Sequence, residues 1–184
     1  MKRPLDILIA FFSLLLLFPV LLFVAAAVRL EDGGPIFFRQ VRVGRGGREF
    51  PMLKFRSMVV DAALRGGFST ADGDPRITGI GRLIRRTSLD ELPQLVNVLV
   101  GNMSLVGPRP DVPAQRALYE PSEWILRHAV RPGLTGLAQA TLRSDATPEQ
   151  RKTMDLEYVR QASVWLDMKI ILLTFRQVFG RGGN

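Results

Sequence analysis

From Ile7 to Val28 the chain runs 22 residues without a charge, mostly Leu, Phe, Val and Ala. A helix of that length matches a hydrocarbon core of about 30 Å. Pro19 lies near the middle, where it removes a backbone hydrogen bond and favours a kink. Two half-length limbs meeting at Pro19 could enter and leave a bilayer by one face, with the freed carbonyls covered by packing or by Ser13. A straight span is the rival that composition favours. A cleaved leader is the other, since Lys2 and Arg3 precede the run and Ala25-Ala26-Ala27 resembles a cleavage region. Basic residues flank both ends, with Arg29, Arg39, Arg42, Arg45 and Arg48 following, so the positive-inside tendency draws both flanks to the cytoplasm.

Beyond the apolar run the pattern changes. Pro35 to Val43 partly alternates, Gly44 to Arg48 reads as a turn, and Phe50 to Phe55 reads as a return strand, which predicts a β-hairpin. Lys54 and Arg56 would share a face if that strand continues, with Phe55 on the other. Residues 57–66 predict a short helix, and Gly66 to Gly81 a loop. Ile80 to Arg86 is basic and amphipathic. A run from Thr87 to Val100 opens a helix with Gly101 as its C-cap. Val112 to Ala129 predicts a helix that Pro113 and Pro121 could split, and Pro148 to Ala162 a polar helix with proline in its first turn. Val164 to Phe179 is apolar but carries Asp167, Lys169 and Arg176, which suits an interfacial helix at least as well as a core one.

The length of 184 residues suits one domain. The absence of cysteine excludes disulfides, thiolate metal sites and cysteine nucleophiles. A single histidine, His128, closes off histidine-rich hydrolase and zinc layouts and reads as structural. The net charge of +8 suits nucleic acid, an anionic membrane or a phosphorylated substrate equally. Nucleic acid has only that charge in its favour, without an aromatic-lined sheet or a recognition helix.

Carboxylates, arginines and a divalent ion must therefore carry the chemistry. Asp90 and Glu91 admit two readings. Ser88 could cap a helix with Glu91 reaching back, a capping box in which Asp90 favours the positive helix end. Alternatively, one carboxylate attacks a phosphorus centre, shielded from the diphosphate by magnesium and arginines. Arg82, Arg85 and Arg86 precede the pair, and prolines on both sides of Arg109 stiffen its loop. Arg131 sits in a similar loop with Gly133-Leu-Thr-Gly136, whose N–H groups, including that of Thr135, could face an anion. Asp155 and Tyr158 share a helical face and serve either packing or the surroundings of a site. Trp124 and Trp165 are candidates for interface anchors or core.

Taken in order, these residues resemble the bacterial sugar transferase family, the monotopic phosphoglycosyl transferases. The matching segments are Lys54-Phe-Arg-Ser-Met58, Asp74-Pro-Arg-Ile-Thr78, Gly81-Arg-Leu-Ile-Arg85, Thr87-Ser-Leu-Asp-Glu-Leu-Pro-Gln94, Asn97-Val-Leu99, Met103-Ser-Leu-Val-Gly-Pro-Arg-Pro110, Arg131-Pro-Gly-Leu-Thr-Gly-Leu-Ala-Gln139 and Asp155-Leu-Glu-Tyr158. They span nearly the whole chain.

The resemblance implies an α+β, mostly helical membrane-associated domain with a small β-hairpin. It implies a re-entrant, proline-broken membrane helix over residues 1–30 and a cytoplasmic catalytic domain over 31–184, in the bare form without further N-terminal membrane helices. It implies transfer of a sugar 1-phosphate from a UDP-sugar to undecaprenyl or a related polyprenyl phosphate, with UMP released. Asp90 would be the nucleophile and a ligand of Mg2+, and Glu91 its partner, aiding the acceptor or the metal. Arg109 and Arg131 match the phosphate loops and rank ahead of Lys54 and Arg56, with Arg85, Thr135 and Arg143 as further substrate contacts. The expected place is the cytoplasmic face of a bacterial inner membrane, among membrane lipids and without nucleic acid, with room for a homodimer. A non-catalytic scaffold of a polysaccharide assembly system is the alternative. Two departures from the family pattern are Phe18, where many relatives place serine before the proline, and Ala140-Thr-Leu-Arg143 after Gln139.

Overall fold

The structure, a computed structural model, describes residues 2–62, 65, 73–142 and 147–180. The apolar run forms one helix, α1 (Lys2–Asp32), with Pro19 inside it. The expected loop and return strand form a hairpin of β1 (Phe37–Val43) and β2 (Glu49–Phe55), antiparallel, with Phe38 opposite Lys54 and Arg42 opposite Phe50. Then come α2 (Gly79–Arg86), α3 (Gln94–Val100) and β3 (Ser104–Val106). A 3-10 stretch over Pro113–Leu118 and α4 (Pro121–Arg127) follow, divided at the prolines as the sequence suggests. The chain ends with β4 (Gly133–Thr135), α5 (Leu137–Leu142), α6 (Pro148–Gln161) and α7 (Val164–Gly180). The helix expected over 57–66 does not form in the described part of that span. Instead Met58 bridges to Ile77, and Arg56 N–H donates to Ile36 O, which draws the chain along the hairpin.

Three apolar clusters hold these elements together. Ala10 of α1, Phe50 and Met52 of β2, and Leu95 and Val98 of α3 form the first, joined by Met103. Val24 and Val28 of α1 meet Phe55 and Ile84 in the second. Val106, Ala140, Tyr158 and Ile170 form the third, between β3, α5, α6 and α7. The strand period of two places Phe50, Met52 and Lys54 on the face of β2 that meets α3. Phe55, of opposite parity, packs on α1 and α2. Asn97 of α3 fixes that contact, since its Oδ1 accepts from Leu53 N at 2.9 Å and its Nδ2 donates to Pro51 O at 2.9 Å. The outer edge of β2 thus finds backbone partners on a helix side chain.

Both ends of α1 are tied to this one body. At its start, Lys2 Nζ donates to Val106 O at 2.9 Å and pairs with Asp167. Arg3 caps α3 through Val98 O and Leu99 O at 2.6 and 2.9 Å, and Asp6 accepts from Ser104 Oγ at 2.8 Å. At its end, Asp32 pairs with Arg56, and Glu31 accepts from Ile80 N at 3.2 Å. Between these anchors Phe11, Phe12, Leu15, Leu16, Phe18, Leu22 and Phe23 stand exposed. Only 11% of the most apolar stretch of the helix is buried, an apolar surface that water does not tolerate at this size. On α7, Trp165, Met168, Leu172 and Phe175 form an exposed stripe while Ile170 is buried, so the helix is core on one side and open on the other.

Candidate active site

Asp90 and Glu91 lie on a single 3-10 turn, Leu89–Glu91, just before α3. Pro93 precedes Gln94 and carries no N–H, so the turn ends where the helix begins. Ser88 enters that turn with φ 58° and ψ 16° and its side chain caps nothing. Among the described residues it is the one non-glycine with positive φ, and such strain gathers at functional sites. The capping box is therefore not made. The Glu91 carboxylate, free of that task, has its Oε1 accept from Lys54 Nζ at 2.7 Å and from Arg109 Nη2 at 2.7 Å.

The neighbouring Asp90 is buried, and among the described residues its carboxylate has no hydrogen bond or ion pair. Burial pushes its carboxyl up to about 6, with Lys54 the strongest charge pulling the other way and Arg85 and Arg109 adding to that pull. Glu91 goes in the opposite direction. Burial would raise it, but Arg109 and Lys54 beside it prevail and hold it well below the usual carboxylate range. Two adjacent acids thus differ sharply in basicity, the pattern that marks separate chemical roles.

Arg109 is placed by its backbone. Arg127 Nη2 donates to Arg109 O at 2.8 Å, Arg42 Nη1 to Pro110 O at 2.7 Å, Val43 N to Asp111 O at 2.9 Å and Gly133 N to Pro108 O at 2.9 Å. Arg127 is itself buried between Asp111 and Asp155, with Nη2 at 2.6 Å from Asp155 Oδ2. Burial, then Arg109, lowers Arg42 to about 10. Arg127 is not among the residues the sequence points to, while Arg42 stands there only as a flanking base and Asn97 only within a matching segment. Arg42 had a usable signal, because its hairpin position shares the face of Lys54 once the register is known.

The other expected contacts lie elsewhere. Lys54, Arg85 and Arg109 surround the Asp90–Glu91 pair. The strand ends at Phe55, so Arg56 leaves the face of Lys54 and is buried against Asp32 and Pro35 O. Arg131 Nε donates to Gly101 O at 2.9 Å, at the far end of α3. Thr135 Oγ1 bonds Thr174 Oγ1 at 2.8 Å on α7. Arg143 lies outside the described residues. The glycines at both ends of the Gly133–Gly136 loop allow close packing on Gly107, and the Gly133 N–H is spent on Pro108 O at 2.9 Å. A Cβ on Gly133 would stand 2.1 Å from Gly107 N, and the Gly107 N–H is spent on Thr135 O at 2.9 Å. His128 is structural, its Nδ1 at 2.8 Å from Trp124 O and its ring against the Trp124 ring.

Among the described residues no group of three acidic or histidine side chains could hold a metal by itself. That suits Mg2+, which takes one or two carboxylates and fills its remaining positions with substrate phosphate and water. The Asp90 carboxylate, without a hydrogen-bond partner among the described residues, would be the protein ligand of such an ion.

Several known proteins are similar to this chain. It is 47% identical over 194 residues to an undecaprenyl-phosphate glucose phosphotransferase of Komagataeibacter xylinus, covering 98% of this chain and 36% of that protein. It is 46% identical over 181 residues to the UDP-glucose:undecaprenyl-phosphate glucose-1-phosphate transferase of Escherichia coli (strain K12), covering 95% of this chain and 39% of that one. The chain thus spans well under half the length of both. It is also 45% identical over 193 residues to the exopolysaccharide production protein PSS of Rhizobium leguminosarum bv. phaseoli, covering 99% of this chain and 96% of that one. The bacterial sugar transferase family model matches residues 1–181. With that match running through the Asp90–Glu91 turn, the hairpin and the Arg109 loop, the chain belongs to the bacterial sugar transferase family.

Proposed function

We propose that the chain transfers a sugar 1-phosphate from a UDP-sugar to a polyprenyl phosphate in two steps, through a covalent adduct on Asp90. The observation that carries this reading is a buried, partnerless Asp90 carboxylate beside a Glu91 that is held ionised by Lys54 and Arg109. In the first step an Asp90 oxygen attacks the sugar-bearing phosphorus. The bond to the bridging oxygen breaks and UMP leaves with the electron pair. In the second step a phosphate oxygen of the polyprenyl phosphate attacks the same phosphorus, the bond to Asp90 breaks and the carboxylate is restored. Largely buried and without a hydrogen-bond partner among the described residues, Asp90 is a more basic nucleophile than an exposed carboxylate. Lys54, Arg85 and Arg109 offset the repulsion between that carboxylate and the diphosphate.

The depressed Glu91 is a poor proton carrier at neutral pH. Its work is to fix Lys54 and Arg109 next to Asp90. Mg2+, held by Asp90 and the donor phosphates, would supply charge neutralisation of the diphosphate.

The same reading puts residues 1–30 in the cytoplasmic leaflet of the bacterial inner membrane as a re-entrant element. Both ends of α1 bind one domain, whereas a helix crossing a core of about 30 Å leaves its ends on opposite faces. The names of the relatives make UDP-glucose the first donor to try and undecaprenyl phosphate the first acceptor. The test is UMP release from UDP-glucose and other UDP-sugars with magnesium and undecaprenyl phosphate. Acceptor-dependent release from one donor is expected. Asp90→Asn should abolish release and the phosphosugar adduct seen by intact-protein mass spectrometry. Arg109→Lys, which loses the planar fork, should slow turnover about 100-fold. Turnover surviving in Asp90→Asn would refute the mechanism.

A further inference from the structure

Two adjoining cavities, of about 560 and 230 Å³, share Arg45 and Arg131 as walls, and neither is lined by Asp90 or Glu91. The larger lies between the hairpin turn Gly44–Arg48 and the end of α3 at Val100, Gly101 and Asn102. The smaller is closed by Lys2 and Arg3 at the start of α1. The hairpin separates them from the reacting acids. Glu49 lines the cleft and Lys54 touches Glu91, and five residues of strand at about 3.3 Å each put the two sites about 17 Å apart.

The charges in the cleft are poorly matched within the protein. Arg45 donates only through Nε, to Ala129 O at 3.0 Å, and Arg131 only through Nε, to Gly101 O. Among the described residues, Arg48 and Asn102 have no hydrogen-bond or ion-pair partner for their side chains. The guanidinium of Arg48 and the terminal amino groups of Arg45 and Arg131 therefore retain donor N–H groups without protein acceptors. The two acids on the walls do little to offset them. Asp6 is already engaged by Ser104 Oγ at 2.8 Å and Leu105 N at 3.1 Å, which leaves Glu49. Three guanidinium groups around one cleft repel each other, and a ligand with phosphate oxygens in fork geometry relieves that.

The position of the cleft bears on where such a phosphate comes from. Lys2 and Arg3 stand at its wall, and the exposed apolar part of α1 begins a few residues later with Leu5, Ile7 and Leu8. The smaller of the two adjoining cavities thus lies close in the chain to the exposed apolar part of α1, a position that suits a lipid headgroup phosphate.

We propose that the Arg45–Arg48–Arg131 cleft is a second anion site that binds a phosphate group, from an anionic lipid headgroup or from a soluble phosphorylated compound, apart from the Asp90 site. It does not rest on the phosphotransfer reading. The test uses the full-length protein in detergent micelles, titrated with phosphatidylglycerol, with phosphatidylcholine and with inorganic pyrophosphate, and read by native mass spectrometry. The variants are Arg48→Gln and Arg45→Gln/Arg48→Gln, both at exposed positions, with far-UV circular dichroism to check that each folds. Each arginine removed should weaken binding about fivefold, roughly 30-fold for the pair. Phosphatidylglycerol retained by the wild type over phosphatidylcholine and lost in the pair establishes the site with a lipid source. Pyrophosphate retained and lost in the same way establishes it with a soluble source. Asp90→Asn should bind like the wild type. Binding that vanishes in Asp90→Asn, or that ignores Arg45 and Arg48 for both ligands, overturns the proposal.

Discussion

Asp90 and Glu91 are neighbours in sequence and opposites in environment. The difference comes from which one meets Lys54 and Arg109. For Asp90 the folded-state value near 6 lies above its ordinary 3.8, so the native state holds the proton more tightly than the unfolded chain does. Above about pH 6 the carboxylate is ionised in both states and its burial costs stability. As pH falls from 6 toward 4 that cost disappears, because the native carboxyl becomes neutral. At about 1.4 kcal/mol per pH unit, the cost reaches up to about 3 kcal/mol. Asp90→Asn should therefore be more stable than the wild type by up to that amount at pH 7.5, and no more stable near pH 4. Urea melts of the two proteins at both pH values check this. Equal stability at pH 7.5 would mean that the carboxylate is solvated.

At the scale of elements, short pieces are held by backbone contacts in place of a large sheet. Strands β3 and β4 pair in parallel through Ser104–Gly133 and Val106–Thr135, and their loops approach so closely that Gly107, Gly133 and Gly136 have no room for a Cβ. The Arg109 loop continues directly from β3. Gly133→Ala would force Gly107 away and should cost about 3 kcal/mol, as overpacking of tight interiors does. It should also lower turnover in the fraction that stays folded, because Gly133 N–H is what holds Pro108 O. A thermal melt beside an activity assay separates the two effects, and an unchanged melting temperature would show that the loops can part freely.

For the whole molecule, the decisive relation is between α1 and the rest. Residues 2–6 and 28–32 dock on the same domain, through Asp167, Ser104 and the α3 carbonyls at one end and Arg56 and Ile80 N at the other. The proposed re-entrant arrangement requires both of these ends to lie on one side of the membrane. The protein has no cysteine, so single cysteines at Lys2 and Glu31 can report sidedness. Both should react with an impermeant maleimide from the cytoplasmic side in inverted vesicles, and neither in right-side-out vesicles. Labelling from opposite sides would identify a spanning helix. The exposed stripe of Trp165, Met168, Leu172 and Phe175 on α7 gives the same body a second apolar face toward lipid.

Local pattern determined a good deal by itself. The long apolar helix, the hairpin with its turn at Gly44–Arg48, the proline-split segment after Val112 and the last two helices follow from periodicity, proline and glycine, which act within a few residues. The ordered motifs pointed to the family and to Asp90 and Glu91. What local pattern left open was partnership. The Ser88–Glu91 spacing favours a capping box, yet the Glu91 carboxylate pairs instead with Lys54 and Arg109, 37 and 18 residues away. Arg56, Arg131 and Thr135 resemble phosphate ligands in one dimension. A strand ending at Phe55, a carbonyl at Gly101 and a hydroxyl on α7 place them away from the Asp90–Glu91 pair. A charge takes its role from the groups that fold against it, and those contacts exist only in the tertiary structure.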